Sequence, residues 1–322
     1  MLIFDLSTPK AESQNHFIYI EKFSKHLLNW KKVIYINDYN KFDSSLRNKI
    51  LEIKFNNIFL SQNINELNNL VIKEFTNSNI VCYGDALGLN FSNKYYFPNI
   101  NIKPKIKYSE YILSLINLFD QKLDLYTKIK SKTLLTVIDD SSNFLKINTI
   151  NTFSNLNYLL SKNKKVIFIL TANYSETGRM ALKDEVKCYV ECLSKYNSND
   201  DCLIIIKPHP RDSIEKHRLM GDMLLDITSN FIFLKEYFKY IPFEIIYHLL
   251  LNKYSLNTKD HEILSSSSSI LFIEYLFKKR CEFIFGTDIV RKYFTKNWVK
   301  IRIQHEKDIM NAIDLIRSNK FI

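Results

Sequence analysis

Strand and helix signals alternate through both halves of the chain and predict an α/β protein of two Rossmann-like domains facing a cleft. Two further observations support this reading. Short apolar runs such as Leu203–Ile206 have the composition of strands buried on both faces of a parallel sheet. A polar stretch, Ser161-Lys-Asn-Lys-Lys165, interrupts the pattern near the middle, and the alternation restarts after it. The expected division is therefore 1–158 and 159–322.

In the first half, Leu2-Ile-Phe is a short strand. Phe17, Ile20, Phe23 and Leu27 recur at helical spacing within 15–28. Strands follow at 32–36, 57–60 and 79–83, with a helix at 64–75. Residues 95–107 carry Pro98 and Pro104 and read as loop. Helix patterns return at 110–119 and 144–160, and 134–138 is the last strand of this half. In the second half, 166–170 is a strand. The helix over 180–196 shows an apolar face of Leu182, Val186, Tyr189 and Leu193. Leu203–Ile206 is the central strand. Pro208 and Pro210 end it, because proline donates no ladder hydrogen bond. Asp212 and Ser213 are placed to cap a helix over 213–225. Further strands are expected at 231–234, 263–264 and 282–285, and a closing helix at 305–316.

Composition bounds the function. The chain has 322 residues, 46% hydrophobic and 25% charged, which is globular rather than disordered. No run of 18 uncharged apolar residues occurs, so no membrane span is expected. Asp5 follows Met1-Leu-Ile-Phe at once, so no signal peptide is expected. The five cysteines are scattered without a Cys-x-x-Cys, and they read as reduced thiols in a cytoplasmic protein. The net charge is +11. It suits an anionic substrate, or peripheral attachment to the anionic inner face of a membrane. No zinc-finger, recognition-helix or aromatic-basic signature points to nucleic acid.

Four segments carry chemistry. In Val81-Cys-Tyr-Gly-Asp-Ala-Leu-Gly88, Gly84 permits a bend after a strand and Asp85 is presented at its end, with Gly88 completing the loop. A carboxylate there can take a proton from a hydroxyl; alone, it also reads as an Asx turn. In Lys207-Pro-His-Pro210, His209 is fixed between prolines at a strand's carboxyl end, where open sheets bind ligands. A cationic imidazole at this place would stabilise or protonate a leaving phosphate. In Ile241-Pro-Phe-Glu244, Pro242 suits a first helical turn and Glu244 favours the helix dipole. Ser265, Ser266, Ser267, Ser268 and Ser269 lie between a strand and an apolar helix, and read as an uncharged anion cradle. The Walker and Gly-x-Gly-x-x-Gly patterns are missing, which argues against a standard kinase or dinucleotide oxidoreductase. No Asp-x-Asp is present to hold a metal-bridged diphosphate.

The ordered set resembles the bacterial sialyltransferases and polysialyltransferases of GT-B architecture. Lys207–Pro210 resembles their His-Pro motif, and 265–269 their serine motif. Pro242-Phe-Glu244 resembles the segment whose glutamate binds the donor's ribose. Tyr83–Gly88 resembles their acidic motif, but polysialyltransferases place two acids before glycine, and here a single Asp85 precedes Ala86. The resemblance implies an inverting, metal-independent sialyltransferase with no cofactor, using CMP-sialic acid and a glycan acceptor. Residues 1–158 would form the acceptor side, with Asp85 the base and Gly84 and Gly88 shaping its loop. Residues 159–322 would bind CMP-sugar, with His209 catalytic and Lys207, Pro210, Glu244 and the five serines holding donor. The rival readings are a GT-B transferase using another nucleotide sugar such as CMP-Kdo, and a non-catalytic basic protein binding nucleic acid.

Overall fold

The computed structural model describes residues 2–5, 33–36, 48, 50–54, 57–61, 79–83, 150–196, 201–234 and 237–318. The chain divides into two compact units, Met1–Thr133 and Leu134–Ile322. This division lies earlier than the expected 158/159 boundary. That position falls inside an unbroken helix, α1 (Ile150–Lys162).

In the first unit, β1 (Leu2–Asp5) pairs in parallel with β2 (Val33–Ile36). β3 (Asn57–Ser61) pairs in parallel with β4 (Asn79–Tyr83). Parallel neighbours require a crossover connection, which is what the alternating pattern foretells. The helices expected at 15–28, 64–75 and 110–119, the strand at 134–138, and Gly84, Asp85 and Gly88 lie outside the described residues.

The second unit is built on one five-stranded parallel sheet. Its strands are β5 (Lys165–Leu170), β6 (Cys202–Lys207), β7 (Phe231–Phe233), β8 (Asp260–Ser265) and β9 (Glu282–Phe283), in the order β7-β6-β5-β8-β9. The chain runs outward from β5 to β7, then returns to the other side of β5. The order therefore reverses between β5 and β8, the place where such sheets bind ligands. Connecting helices are α2 (Leu182–Leu193), α3 (Ile214–Leu225), the short α4 (Tyr237–Tyr240), α5 (Phe243–Lys253) and α6 (Ile270–Phe277). After β9 come α7 (Thr287–Tyr293) and α8 (Lys296–Arg317).

Both faces of the sheet are covered, as its continuous apolar strands demand. Ile167, Ile169, Ile204 and Ile206 pack with Val186, Tyr189 and Leu193 of α2 and Met220 and Leu224 of α3. Phe168 alternates to the other face and meets Phe243 and Tyr247 of α5, with ring centroids 5.3 and 6.4 Å apart. Burying each such side chain stabilises the fold by roughly 1.5–3 kcal/mol.

Three elements differ from expectation. β8 starts at Asp260 rather than Ile263, because its polar residues find partners. His261 meets the Tyr247 hydroxyl at 2.8 Å, and Glu262 pairs with Lys165 at 2.5 Å. α8 begins nine residues before His305, at Lys296, with Thr295 at its N-cap and the Trp298 N–H donating to the Thr295 carbonyl at 2.8 Å. α7 precedes it where no helix was expected. Cys188, Cys202 and Cys281 are buried free thiols and Cys192 is a half-buried one. Among the described residues no helix is long and apolar enough to cross a membrane.

Candidate active site

The carboxyl edge of the second sheet gathers three of the sequence-predicted segments. β6 ends at Lys207, and Pro208 and Pro210 follow it. The Asp212 N–H donates to the His209 carbonyl at 3.0 Å, closing a four-residue turn. Pro210 holds that turn's second position, which its ring favours. The His209 N–H is shared by Thr171 Oγ1 at 2.9 Å and Asp212 Oδ2 at 3.0 Å. The Arg211 N–H donates to His209 Nδ1 at 3.1 Å, so the neutral ring carries its proton on Nε2.

The expectation of a cationic His209 is corrected. Burial, then the nearby Lys207, Lys216 and Arg211, push its pKa down to about 3. The ring is therefore a neutral donor. Lys207 is also no free cation. Its ammonium is buried and donates to the Pro208 and Lys239 carbonyls at 2.9 Å each, which ties α4 to the strand end. Burial lowers its pKa to about 7, against the pull of Asp212 and Glu244.

Glu244 sits in the first turn of α5, with Pro242 as the N-cap residue rather than the first helical one. Burial raises its carboxyl pKa, and the Lys207 ammonium opposes that rise. The Lys207–Lys239 hydrogen bond brings the chain to this strand end five residues before Glu244.

Beyond β5, β8 runs into the serine turn. Ser265 Oγ donates to the Leu170 carbonyl at 3.3 Å and meets Ser267 and Ser269 hydroxyls at 3.2 and 3.3 Å. The Ser267 and Ser269 hydroxyls are 2.8 Å apart. Ser266 turns inward: its hydroxyl meets Tyr189 OH at 2.7 Å, and its carbonyl accepts from Tyr174 OH and Arg302 Nη2 at 2.5 and 2.6 Å. Ser265 and Ser266 are fully buried, which leaves Ser267, Ser268 and Ser269 toward the open side. In the first turn of α6 behind them the Leu271 N–H donates to the Ser268 carbonyl at 3.0 Å. The His209 and serine turns start two strand spacings apart, roughly 10 Å.

Sequence reasoning missed what holds the His209 turn. Lys216 Nζ is fully buried and reaches Glu185 at 2.6 Å, Asp212 at 3.0 Å, Glu176 at 3.4 Å and the Ala172 carbonyl. Asp212 also accepts from Thr171 Oγ1. Asp212 thus braces the turn, while the helix cap expected of it falls to Ser213, whose Oγ accepts from the Lys216 N–H at 3.2 Å. Asp212 and Lys216 stand four residues apart, a weak signal that sequence alone assigns to a helix surface.

A doubly covered parallel sheet whose strand order reverses between β5 and β8, with serine hydroxyls and a neutral imidazole at its carboxyl edge, defines an α/β protein of the doubly wound class. The family can be named: the chain belongs to the alpha-2,8-polysialyltransferases, whose family model matches residues 3–286. That membership makes it a glycosyltransferase of the sialyltransferase kind. No curated protein matches the chain. Among solved structures it is similar to the UDP-GlcNAc 2-epimerase from Neisseria meningitidis bound to UDP-GlcNAc. The identity is 16%, over 84% of this chain and 78% of that one, with a TM-score of 0.44.

Proposed function

We propose that the protein transfers sialic acid from CMP-sialic acid to a glycan hydroxyl, with inversion and without a metal. The observation that supports this reading is that the His209 turn and the serine turn leave the carboxyl ends of β6 and β8, on either side of β5, where the strand order reverses. Ser267 to Ser269 would hold the CMP phosphate. His209 Nε2–H would donate to the phosphate oxygen on which charge grows as the sugar departs. Glu244 would accept from the ribose hydroxyls. Asp85, carried over from the family resemblance, would take the acceptor's proton. The acceptor oxygen then bonds to the anomeric carbon as the bond to phosphate breaks and CMP leaves. CMP is a monophosphate ester, so no diphosphate needs a bridging metal. The basic charge suits peripheral residence on an anionic membrane face in the cytoplasm.

The test is incubation with CMP-sialic acid, with and without EDTA, against galactosides and oligosialic acids, read by mass spectrometry. Transfer that survives EDTA is expected. No transfer to any acceptor, or binding that prefers UDP or GDP over CMP, sinks the reading.

A further inference from the structure

Beyond β9, a cavity of about 410 Å³ opens between the end of that strand, the start of α7 and one face of α8. Phe283, Phe285, Thr287, Glu306, Lys307 and Met310 line it. Glu306 is only 2% exposed. One carboxylate oxygen, Oε1, accepts from the Arg302 guanidinium. The other, Oε2, is buried with no hydrogen-bond partner among the described residues. A buried acceptor left unmade costs about 1–3 kcal/mol, so a cavity bordered by one is built for a donor that arrives from outside. The same Arg302 donates to the Ser266 carbonyl, so the cavity is one guanidinium away from the serine turn.

We infer that this cavity is a sugar subsite, taking one sialyl residue. The inference rests on the sialyltransferase reading for the identity of the sugar. The lining asks for three things in one ligand. Glu306 Oε2 needs an O–H or N–H donor, which a sialyl hydroxyl or acetamido group offers. Phe283 and Phe285 need an apolar face, which a sugar ring or acetyl methyl presents. The exposed Lys307 ammonium needs an anion, which the sialyl carboxylate supplies. The volume lies within the range of small-ligand sites. Burial raises the Glu306 pKa, and the Arg302 guanidinium opposes that rise. The residue could belong to the donor or to the acceptor glycan, and the experiment separates them.

Binding of CMP, CMP-sialic acid and a sialic acid trimer is measured on the full chain by calorimetry, for the wild type, Glu306→Gln and Met310→Trp. The glutamine keeps an oxygen for Arg302. Met310 is 46% exposed, so its replacement fills the cavity's mouth without touching the core. Loss of one hydrogen bond to a charged group predicts roughly tenfold to a hundredfold weaker binding of a sialyl-bearing probe, with CMP unchanged. Weakening of CMP-sialic acid alone assigns the cavity to the donor sugar; weakening of the trimer alone assigns it to the acceptor. If Glu306→Gln unfolds, Met310→Trp decides. All three affinities within twofold of wild type in both folded variants, or no sialyl probe bound by the wild type, overturns the inference. A wild type that binds the trimer through this cavity yet transfers nothing removes the proposed function and leaves the subsite.

Discussion

The turn after β6 and the turn after β8 flank the same strand, β5, and are fastened by opposite chemistry. The His209 turn is fastened by charge: Asp212 reaches its N–H and, through Lys216, shares a buried cation with Glu185 and Glu176. The serine turn is fastened by hydroxyls, with one guanidinium beneath it. Buried charges are costly to separate, so the first turn is held in one geometry. A serine hydroxyl both donates and accepts, so Ser267 and Ser269 can exchange each other for a phosphate at little cost. One turn fixes a ring; the other is free to wrap an anion.

The strongest way to break that contrast is Lys216→Met. It strands the carboxylates of Glu185 and Asp212 in the interior. Loss of one member of a buried ion cluster typically costs about 3–5 kcal/mol, and denaturant titration should show a loss of this size. The sign with pH follows from the lysine. Burial alone would lower its pKa, but Asp212, Glu185 and Glu176 hold it above its ordinary value. Its contribution is therefore complete at every pH below its ordinary value of 10.5 and fades only as pH rises through the higher folded value. A variant as stable as the wild type at pH 7 would show that the cluster is not what fastens the turn.

Next in size is His209→Ala. If the ring donates to charge that grows in the transition state, kcat falls by about a hundredfold while CMP binding changes little. A raised KM with intact kcat would reduce His209 to a binding group. The pH profile sharpens this further. The folded pKa of about 3 lies below the ordinary 6.5, so the neutral ring contributes stability above pH 6.5 that is lost as pH falls toward 3. The wild-type rate should thus show no break near 6.5 that His209→Ala removes. If Asp85 is the base proposed above, Asp85→Ala should also lower kcat with CMP affinity retained, since such a base does not touch the nucleotide.

Smaller still is Tyr189→Phe, on the serine side. Its hydroxyl accepts from the Ala172 N–H at 2.8 Å and meets Ser266 Oγ at 2.7 Å, all within the core. Orphaning these groups should cost about 1–3 kcal/mol in a thermal or denaturant melt. An unchanged melt would mean the serine turn stands without its inner tether.

These contrasts were unevenly legible in the sequence. β5 and β6 announced themselves, since unbroken apolar runs have no other use in a sheet covered on both faces. The His209 turn was legible because two prolines leave the backbone little choice. The cluster beneath it was not. Glu176, Glu185 and Lys216 come from a loop and two helices, and Glu185 in the first turn of α2 looks like an ordinary favourable charge at a helix start. Arg302 and Glu306 at i, i+4 likewise look like a surface pair until the fold buries both. Charge carries no periodicity that marks it as buried; only the packing of separate elements decides that. The same limit hid the start of β8, where tertiary partners satisfy residues that read as loop.

The finest test sets two helix-start serines against each other. Ser213 precedes α3, and its Oγ accepts from the Lys216 N–H and donates to Glu176 Oε1 at 3.1 Å. Ser269 precedes α6 and makes no side-chain cap; its Oγ faces Ser265 and Ser267 instead. Capping serines contribute about 1 kcal/mol. Ser213→Ala should therefore lower stability by about that amount and leave the affinity for CMP unchanged. If the serine turn holds the CMP phosphate as proposed, Ser269→Ala should do the reverse: stability holds within about 0.5 kcal/mol, as for a substitution that removes no cap, while CMP binds several-fold more weakly. The two variants share one chemistry, one helix position and one sheet edge. Only the partner of the hydroxyl differs: helix backbone in one case, and in the other neighbouring serine hydroxyls that the proposed phosphate would replace. If both alanines shift the melt and neither shifts CMP affinity, the serine turn is a structural cap like its neighbour, and the phosphate lies elsewhere.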